Sequence, residues 1–287
     1  MAICHKIDRA LMIIKYNKRK KKLNKKKHIQ KSKSFIIFAN PRSGSTWLSE
    51  TLNLHPQIAC FDEPFNHARK KESFFNLLQT AGSYGVFKKI RYMLSDKKKR
   101  IYGCKHLVSH LNDENNLLLV SDVDFIIFLR RITTESVVSF YRSLSMGIWH
   151  IYDENDQLIN MNWPEQIPHL QDKQNTFWSS NQEKINNFYG KRMSLSIKKI
   201  RQALIARKKR LVYLRSEIEK KHKTVIDLSY NDLFTNPKKH VENIYQTMGI
   251  PYHNKFSSEI KMNNNYDWLI NKDAINKAVG AKFGYLT

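Results

Sequence analysis

Residues 35–48 constrain the fold of this chain more than any other stretch, because a buried strand, a tight turn and a helix start follow one another within it. Phe35 to Ala39 are apolar without alternation, which is typical of a strand covered on both faces. Pro41 and Gly44 mark a turn, and leucines at helical spacing come after it. The stretch therefore predicts a strand, a loop and a helix in that order.

The predicted turn is suited to binding an anion. Backbone N–H groups of the loop, and of a helix that begins near Ser45 or Thr46, have no partner within the helix and converge on one spot. Arg42 adds a charged guanidinium fork, and hydroxyl groups add further donors. We expect a phosphate or sulfate ester here, contacted by Arg42, Ser43, Gly44, Ser45 and Thr46.

The loop lacks the Gly-Lys-Ser/Thr ending of a Walker A motif, which argues against an ATPase or kinase. Its sequence over residues 41–48 is Pro-Arg-Ser-Gly-Ser-Thr-Trp-Leu. This resembles the 5′-phosphosulfate loop of sulfotransferases that use 3′-phosphoadenosine 5′-phosphosulfate (PAPS). The resemblance implies a P-loop-like fold, PAPS as the sulfuryl donor with PAP as its product, and no metal ion.

A second group of charges follows the predicted strand 125–129, which ends in Arg130 and Arg131. Ser139 comes eight residues after Arg131, and this spacing resembles the Arg-x7-Ser 3′-phosphate site of the same family. Arg130 fits this pattern equally well if Ser139 is allowed to come nine residues after the arginine. A guanidinium and a hydroxyl on one phosphate favour a PAPS-like nucleotide over ATP. Two anion sites at two strand ends thus support the sulfotransferase interpretation.

Three residues are candidates for the base that removes the acceptor's proton. Glu63 follows a short predicted strand, and strand carboxyl ends line the ligand crevice of open α/β sheets. The block 42–65 is similar to carbohydrate sulfotransferases, in which a Glu at this place is a proposed base. His106 resembles the histidine base of cytosolic members, without their intervening Thr. His110 fits an alternative alignment to bacterial carbohydrate members, so the choice among the three stays open.

Other parts of the chain resemble the family less closely. Tyr230 begins a block similar to a Tyr-Glu-Asp-Leu…Asn-Pro element in which the Tyr lies near the adenine, so Tyr230 and Trp47 are the candidate base contacts. The Arg-Lys-Gly-x-x-Gly clamp of enzymes acting on steroids and phenols is missing. Its absence argues against that branch and leaves part of the 3′-phosphate site unassigned. The aromatic stretch 146–173 suits either sugar rings or packing on itself. A long helical stretch, either continuous or broken near Gly190, is expected over about 174–221.

Length and composition predict one α/β domain. A chain of 287 residues with 41% apolar content can bury one large core. We expect a central, mainly parallel sheet of four or five strands, with helices on both faces, over residues 34–287. The 50 basic and 25 acidic residues give a net charge of +25. Residues 1–33 carry much of this excess and are predicted to be a disordered tail, either solvated or in contact with anionic membrane lipids or another polyanion.

No membrane anchor or signal peptide is expected, because the apolar run 11–14 is far shorter than the ~20 residues of a spanning helix. The sequence therefore predicts a cytoplasmic protein. Three cysteines, Cys4, Cys60 and Cys104, show no spacing typical of a metal site.

Together these patterns predict a PAPS-dependent sulfotransferase acting on a hydroxyl of a carbohydrate or glycolipid. One alternative is a nucleotide kinase, which would need a Gly-Lys-Ser/Thr loop and a carboxylate for magnesium. The other is a nucleic-acid or polyanion-binding protein, which would explain the charge but leave both strand-end anion sites without a function. No specific nucleic acid is indicated, and the sequence does not set the oligomeric state.

Overall fold

A computed structural model describes residues 32–66, 72–94, 99–146, 150–151, 178–179, 191–222, 224–257 and 266–286. Its centre is a five-stranded sheet in the order β2-β3-β1-β4-β7, in which all pairings are parallel. The five strands are β1 (Lys33–Ala39), β2 (Ile58–Asp62), β3 (Ile101–Leu107), β4 (Phe125–Arg130) and β7 (Val225–Ser229). The predicted α/β fold class with a mainly parallel sheet is thereby confirmed.

Helices lie between these strands and after the last of them. They are α1 (Ser45–Asn53), α2 (Glu72–Met93), α3 (Asp113–Val120), α4 (Thr134–Met146), α5 (Ile197–Glu219), α6 (Tyr230–Thr235), α7 (Pro237–Met248), α8 (Lys272–Ile275) and α9 (Ala281–Phe283). A 3₁₀ turn at Val108–His110 follows β3, and α2 is kinked at Gly82. Two short strands, β5 (His150–Ile151) and β6 (Trp178–Ser179), pair in parallel with each other.

Both faces of the sheet are covered, which explains the continuous apolar runs in its strands. Alternate residues of β1 point to opposite faces. Ile36 and Phe38 pack towards α2, α3 and α5, whereas Phe35 and Ile37 pack towards α1 and α7. A third apolar cluster joins α4 and the start of α5 to residues 266–286.

The topology places the loop after β1 at the centre of the sheet, on the side where the carboxyl ends of the strands lie. From β1 the chain moves to β2 and β3 on one side and then crosses to β4 on the other. The carboxyl ends of parallel strands meet at this edge, and ligands of open α/β sheets bind where the strand order reverses. The loop after β1 therefore lies beside the residues that follow β2, β3 and β4.

The helix expected over about 174–221 is wrong in its first part. Residues 178–179 form β6, and residues 191–196 are not helical. The helix begins at Ile197, where the side chain of Ser196 caps it by accepting from the Lys199 N–H. Sequence reasoning missed this cap because the apolar spacing continues through it.

Most of residues 1–33, and most of the aromatic stretch 146–173, lie outside the described residues. Within the part of the chain that the structure describes, no helix combines the length and the apolar character needed to cross a bilayer.

We expect Gly103→Ala to lower the free energy of unfolding by about 1–3 kcal/mol, because overpacking a full core costs that much. Gly103 lies opposite Phe35 across the β1–β3 pairing, and a Cβ atom at position 103 would lie 2.3 Å from Cδ1 of that buried ring. Urea unfolding measures the change. The combination with Phe35→Leu should cost less than the sum of the single changes, and full additivity would contradict the predicted clash.

Candidate active site

The loop after β1 is built from two left-handed backbone positions, Arg42 with φ of 63° and Gly44 with φ of 81°. Ser43, between them, is fully buried, and its hydroxyl donates to the carbonyl of Asn40 at 2.7 Å. Gly44 is the N-cap of α1, without a side-chain cap and without an acidic residue in the first turn. The first N–H groups of α1 are therefore directed at the space inside the loop, an arrangement that binds anions.

Aromatic rings border this loop on two sides. The ring of Tyr230 lies so close to Gly44 that a Cβ atom there would be 3.0 Å from Tyr230 Cδ2. On the other side, the indole of Trp47 is nearly parallel to the ring of Phe256, with an interplanar angle of 11° and centroids 6.3 Å apart. Both predicted base contacts, Tyr230 and Trp47, thus adjoin the loop.

Two guanidinium groups meet beside the loop. Arg42 Nε donates to Ser139 Oγ at 3.0 Å, and Arg131 Nη1 donates to the carbonyl of Arg42 at 3.1 Å. Arg131 Nη2 contacts Glu135 at 2.9 Å, whereas its buried Nε has no hydrogen-bond partner among the described residues. Burial, and after it the charge of Arg131, lowers the pKa of Arg42. This concentration of positive charge favours a bound anion.

Tyr230 and Tyr266 complete the wall around the two arginines. The guanidinium carbon of Arg131 lies 3.8 Å from the centroid of the Tyr230 ring, which is a close cation–π contact. Tyr266 is 7% exposed, and burial raises the pKa of its hydroxyl. The charges of Glu135 and Arg131 also act on Tyr266, which places it beside the same charges.

Arg130, the neighbour of Arg131, is directed elsewhere. Its Nε contacts Asp227 of β7 at 2.5 Å, and Asp227 is also bound by Arg215 of α5. Arg130, the last residue of β4, thus joins the α5 side through Asp227, whereas Arg131, directly after the strand, joins the loop side through its contact with Arg42. Of the two arginines that the sequence left open, Arg131 contacts Arg42, whose side chain in turn contacts Ser139, whereas Arg130 contacts Asp227.

A buried lysine links the loop to the end of β2. Lys105 of β3 is 2% exposed, and its Nζ lies 2.7 Å from Asp62 Oδ1 and 2.9 Å from Glu63 Oε1. The same ammonium donates to Thr46 Oγ1 at 2.9 Å. Burial lowers the pKa of Lys105, but the two carboxylates outweigh burial and raise it overall. Lys105 is therefore charged, and it fixes Glu63 and Thr46 relative to each other.

Glu63 adopts a positive φ of 41° directly after β2. Its Oε2 accepts from Asn66 Nδ2 at 2.8 Å and lies 4.0 Å from His110 Nε2. Burial raises the pKa of Glu63, whereas the nearby Lys105 lowers it, and the net direction is downward. Glu63 is thus an ionised carboxylate at neutral pH, held at the sheet edge as the sequence predicted.

The two candidate histidines occupy different environments. His106 is fully buried on the face opposite Lys105, where its Nε2 donates to Asn116 Oδ1 at 2.7 Å. Burial lowers the pKa of His106 to about 3. His110 is part of the 3₁₀ turn, is 16% exposed and lies at the rim of the Glu63 site. The rings of the two histidines are 6.1 Å apart.

A family comparison agrees with this geometry. Residues 32–269 match the model of the sulfotransferase domain. The chain belongs to the sulfotransferase family. Enzymes of this family transfer a sulfuryl group and take it from PAPS, so the match favours sulfuryl transfer over the kinase and nucleic-acid alternatives. A search of curated protein sequences finds no significant match.

Solved structures show a distant likeness. A sulfotransferase from Alicyclobacillus acidocaldarius has 12% identity and a TM-score of 0.43, with 88% of this chain and 96% of that chain covered. Mouse sulfotransferase SULT7A1 complexed with PAP has 14% identity and a TM-score of 0.38, over 78% and 60% of the two chains. The sulfotransferase domain of the Synechococcus PCC 7002 olefin synthase has 14% identity and a TM-score of 0.39, over 80% and 78%.

The residues around the loop fit a sulfotransferase donor. PAPS is anionic at both ends. Among the described residues, the site offers a helix N-terminus without a side-chain cap and a buried Nε of Arg131 without a hydrogen-bond partner. No group of three or more His, Cys, Asp or Glu side chains within the described ranges is placed to hold a metal ion.

Sequence reasoning gave no function to three residues at this site: Lys105, Phe256 and Tyr266. Lys105 carried a signal, because it is a charge within the otherwise apolar strand β3. Phe256 and Tyr266 carried none, because each lies in irregular chain far from the loop in sequence.

We expect Lys105→Met to lower the free energy of unfolding by about 3–5 kcal/mol at neutral pH, because it leaves buried carboxylates without their counter-charge. In the wild type, the lowered pKa of Glu63 adds stability above its ordinary value of 4.5, and this stability is lost as the pH falls through the folded-state pKa. The Lys105→Met variant lacks this contribution. The difference in the free energy of unfolding between wild type and variant should therefore become smaller as the pH falls.

Urea unfolding at pH 7.5 and at about pH 3.5, on either side of the ordinary Glu pKa of 4.5, measures this difference. Lys220→Met is the matched control, because it removes an exposed ion pair with Glu217, which water and salt screen, and it should leave stability nearly unchanged. Equal effects of the two substitutions would contradict the central position of Lys105.

Proposed function

We propose that this protein transfers the sulfuryl group of PAPS to a hydroxyl group of a carbohydrate or glycolipid. The observation that carries the proposal is the meeting of two features at one sheet edge. One is a loop whose helix N-terminus is uncapped and flanked by Arg42 and Arg131. The other is an ionised Glu63, which Lys105 ties to Thr46 of the same loop.

The nucleotide would be held at both of its charged ends. The N–H groups of Ser45 and Thr46 at the start of α1, with Arg42, bind the 5′ end and neutralise its charge. Thr46 already accepts a hydrogen bond from Lys105, so its own hydroxyl hydrogen can be donated to the ligand. Arg131 and Ser139 bind the 3′-phosphate, and Trp47 and Tyr230 contact the base.

The bound donor supplies the sulfuryl group, which bonds to the acceptor oxygen and leaves PAP behind. Glu63 accepts the proton of the attacking hydroxyl, as its ionised state permits. Lys105 keeps the carboxylate in position through its contact with Oε1, and Arg42 acts only as a charge because arginine does not give up its proton. His110, beside Glu63, is the second candidate for the base.

The geometry gives less support to a direct part for His106. Its Nε2 hydrogen is donated to Asn116, and its ring packs between Phe38 and Phe65 in the core. Burial also disfavours its protonated form. A histidine base must be able to take up a proton, so this environment is unsuited to that task.

The acceptor class is supported by the sequence. The His-Pro and Glu-Pro steps within residues 42–65 resemble carbohydrate sulfotransferases, and the clamp of steroid and phenol enzymes is missing. Incubation with labelled PAPS and two panels, glycans with glycolipids against phenols with steroids, tests the assignment. Sulfation confined to the second panel would refute the carbohydrate class.

The wild-type protein should bind PAP at least about tenfold more tightly than AMP, because a charge-assisted contact to the 3′-phosphate contributes about 1.5–3 kcal/mol. Arg131→Lys and Ser139→Ala should reduce this preference, whereas Arg130→Lys, whose side chain is bound to Asp227, should leave it unchanged. Isothermal titration calorimetry measures the affinities. A wild-type protein without preference for PAP would overturn the proposed nucleotide site.

Glu63→Gln should lower kcat by about 100-fold or more while the Kd for PAP stays unchanged, because it removes the proton acceptor and not the loop. Labelled sulfate transfer and calorimetry give the two quantities. Glu219→Gln, on the exposed side of α5, is the control. If His110→Gln abolishes turnover and Glu63→Gln does not, the base is His110.

A further inference from the structure

Residues 250–257 lie along α1 without regular secondary structure of their own. The chain leaves α7 at Gly249, which caps the helix with a φ of 73°. We call residues 250–257 the strap. One end of the strap contacts α1 itself, and the other end contacts His55, two residues beyond the end of α1.

The C-terminal end of the strap is fixed to the middle of α1 by two hydrogen bonds. The Ser257 N–H donates to Thr51 Oγ1 at 3.1 Å, and the Ser257 hydroxyl donates to Glu50 Oε2 at 2.7 Å. Burial raises the pKa of Glu50, and the bond from Ser257 opposes that effect. Ser257 therefore satisfies a carboxylate that is largely removed from water.

The N-terminal end of the strap is fixed by His55, which is 1% exposed. The Gln57 N–H donates to His55 Nδ1 at 3.0 Å, so that nitrogen carries no hydrogen. His55 Nε2 must then carry it, and it donates to the carbonyl of Pro251 at 3.0 Å. Burial lowers the pKa of His55 and so keeps the ring in this neutral form.

Between these two attachments the strap carries Phe256, the ring that lies nearly parallel to Trp47. Trp47 is in the first turn of α1, one turn before Glu50 and Thr51. An indole at a helix start has several accessible rotamers, and a ring stacked on it restricts them before any ligand arrives. Trp47, which the proposed function places against the adenine, is thus held in position by Phe256 of the strap.

We propose that His55 and Ser257 are positioning residues for nucleotide binding: they fasten the strap to α1, and the strap holds Phe256 against Trp47. This inference rests on the proposed function. Neither residue is expected to touch the reacting atoms. Loss of a fastening should therefore weaken binding of PAPS and PAP, because ordering of Trp47 must then occur on binding, while the rate of the bound complex stays the same.

A matched pair of variants at position 55 separates the fastening from the packing of the ring. Both His55→Gln and His55→Asn remove the aromatic contact with Tyr245, whose ring lies 4.8 Å from His55. The glutamine amide reaches the place of Nε2 and can still donate to Pro251. The shorter asparagine can replace only the Nδ1 acceptor for the Gln57 N–H.

His55→Asn should bind PAP about fivefold to tenfold more weakly than His55→Gln, which is the loss expected for one buried hydrogen bond. The KM for PAPS should rise by the same factor, with kcat within about twofold. Hydrogen exchange of the strap amides should be faster in His55→Asn. Equal PAP affinity and equal exchange in the two variants would overturn the proposal.

Ser257→Ala tests the other fastening at a less buried position. It should weaken PAP binding about fivefold and speed exchange at the strap. Thr247→Ala is its control, because that hydroxyl donates to Asn243 within α7 and does not touch the strap. If Ser257→Ala and Thr247→Ala bind PAP alike, the strap does not position Trp47.

The experiment that would disprove the proposed function differs from the one that would disprove the positioning role of His55 and Ser257. If the wild-type protein transfers sulfate from PAPS and prefers PAP to AMP, the function stands whatever the variants at positions 55 and 257 do. If the wild type shows no preference for PAP, the nucleotide site itself is wrong, although hydrogen exchange can still show whether the strap is fastened by His55.

Discussion

The ammonium group of Lys105 is the contact on which the arrangement of the site depends. It lies between β3, the end of β2 and the start of α1, and binds Asp62, Glu63 and Thr46 at once. A charge in this place is stable only because the two carboxylates compensate for its removal from water. The same compensation keeps Glu63 ionised and links it through Lys105 to Thr46 at the end of the anion-binding loop, so the stability of this region and the position of Glu63 share one electrostatic cause.

Much of the fold could be predicted from the sequence, because apolar runs and turn residues act locally. The strand and turn over residues 35–44, the strand-end position of Glu63 and the parallel sheet follow from patterns that a few neighbouring residues determine. The helix predicted from about residue 174 failed for the same reason. Apolar spacing alone does not show where a cap such as Ser196 begins a helix.

The parts of the site that could not be predicted are contacts between distant segments. Phe256 and Trp47 are brought together only by the path of the strap, and no local pattern marks either as a partner of the other. Arg130 and Arg131 fit the family spacing almost equally. What distinguishes their surroundings is Asp227, which binds Arg130 and joins the sheet from a strand almost a hundred residues later. Pairing across the sheet therefore supplies information that spacing lacks.

Adjacent residues in β3, and at the end of β4, make contacts on opposite faces of the sheet. Lys105 and Arg131 contact residues of the anion-binding loop, whereas His106 and Arg130 are bound by Asn116 and Asp227. Insertion or deletion of one residue at either strand end would exchange these neighbours. A change in the length of β3 or β4 would therefore disturb the contacts within the core and the contacts with the anion-binding loop at the same time.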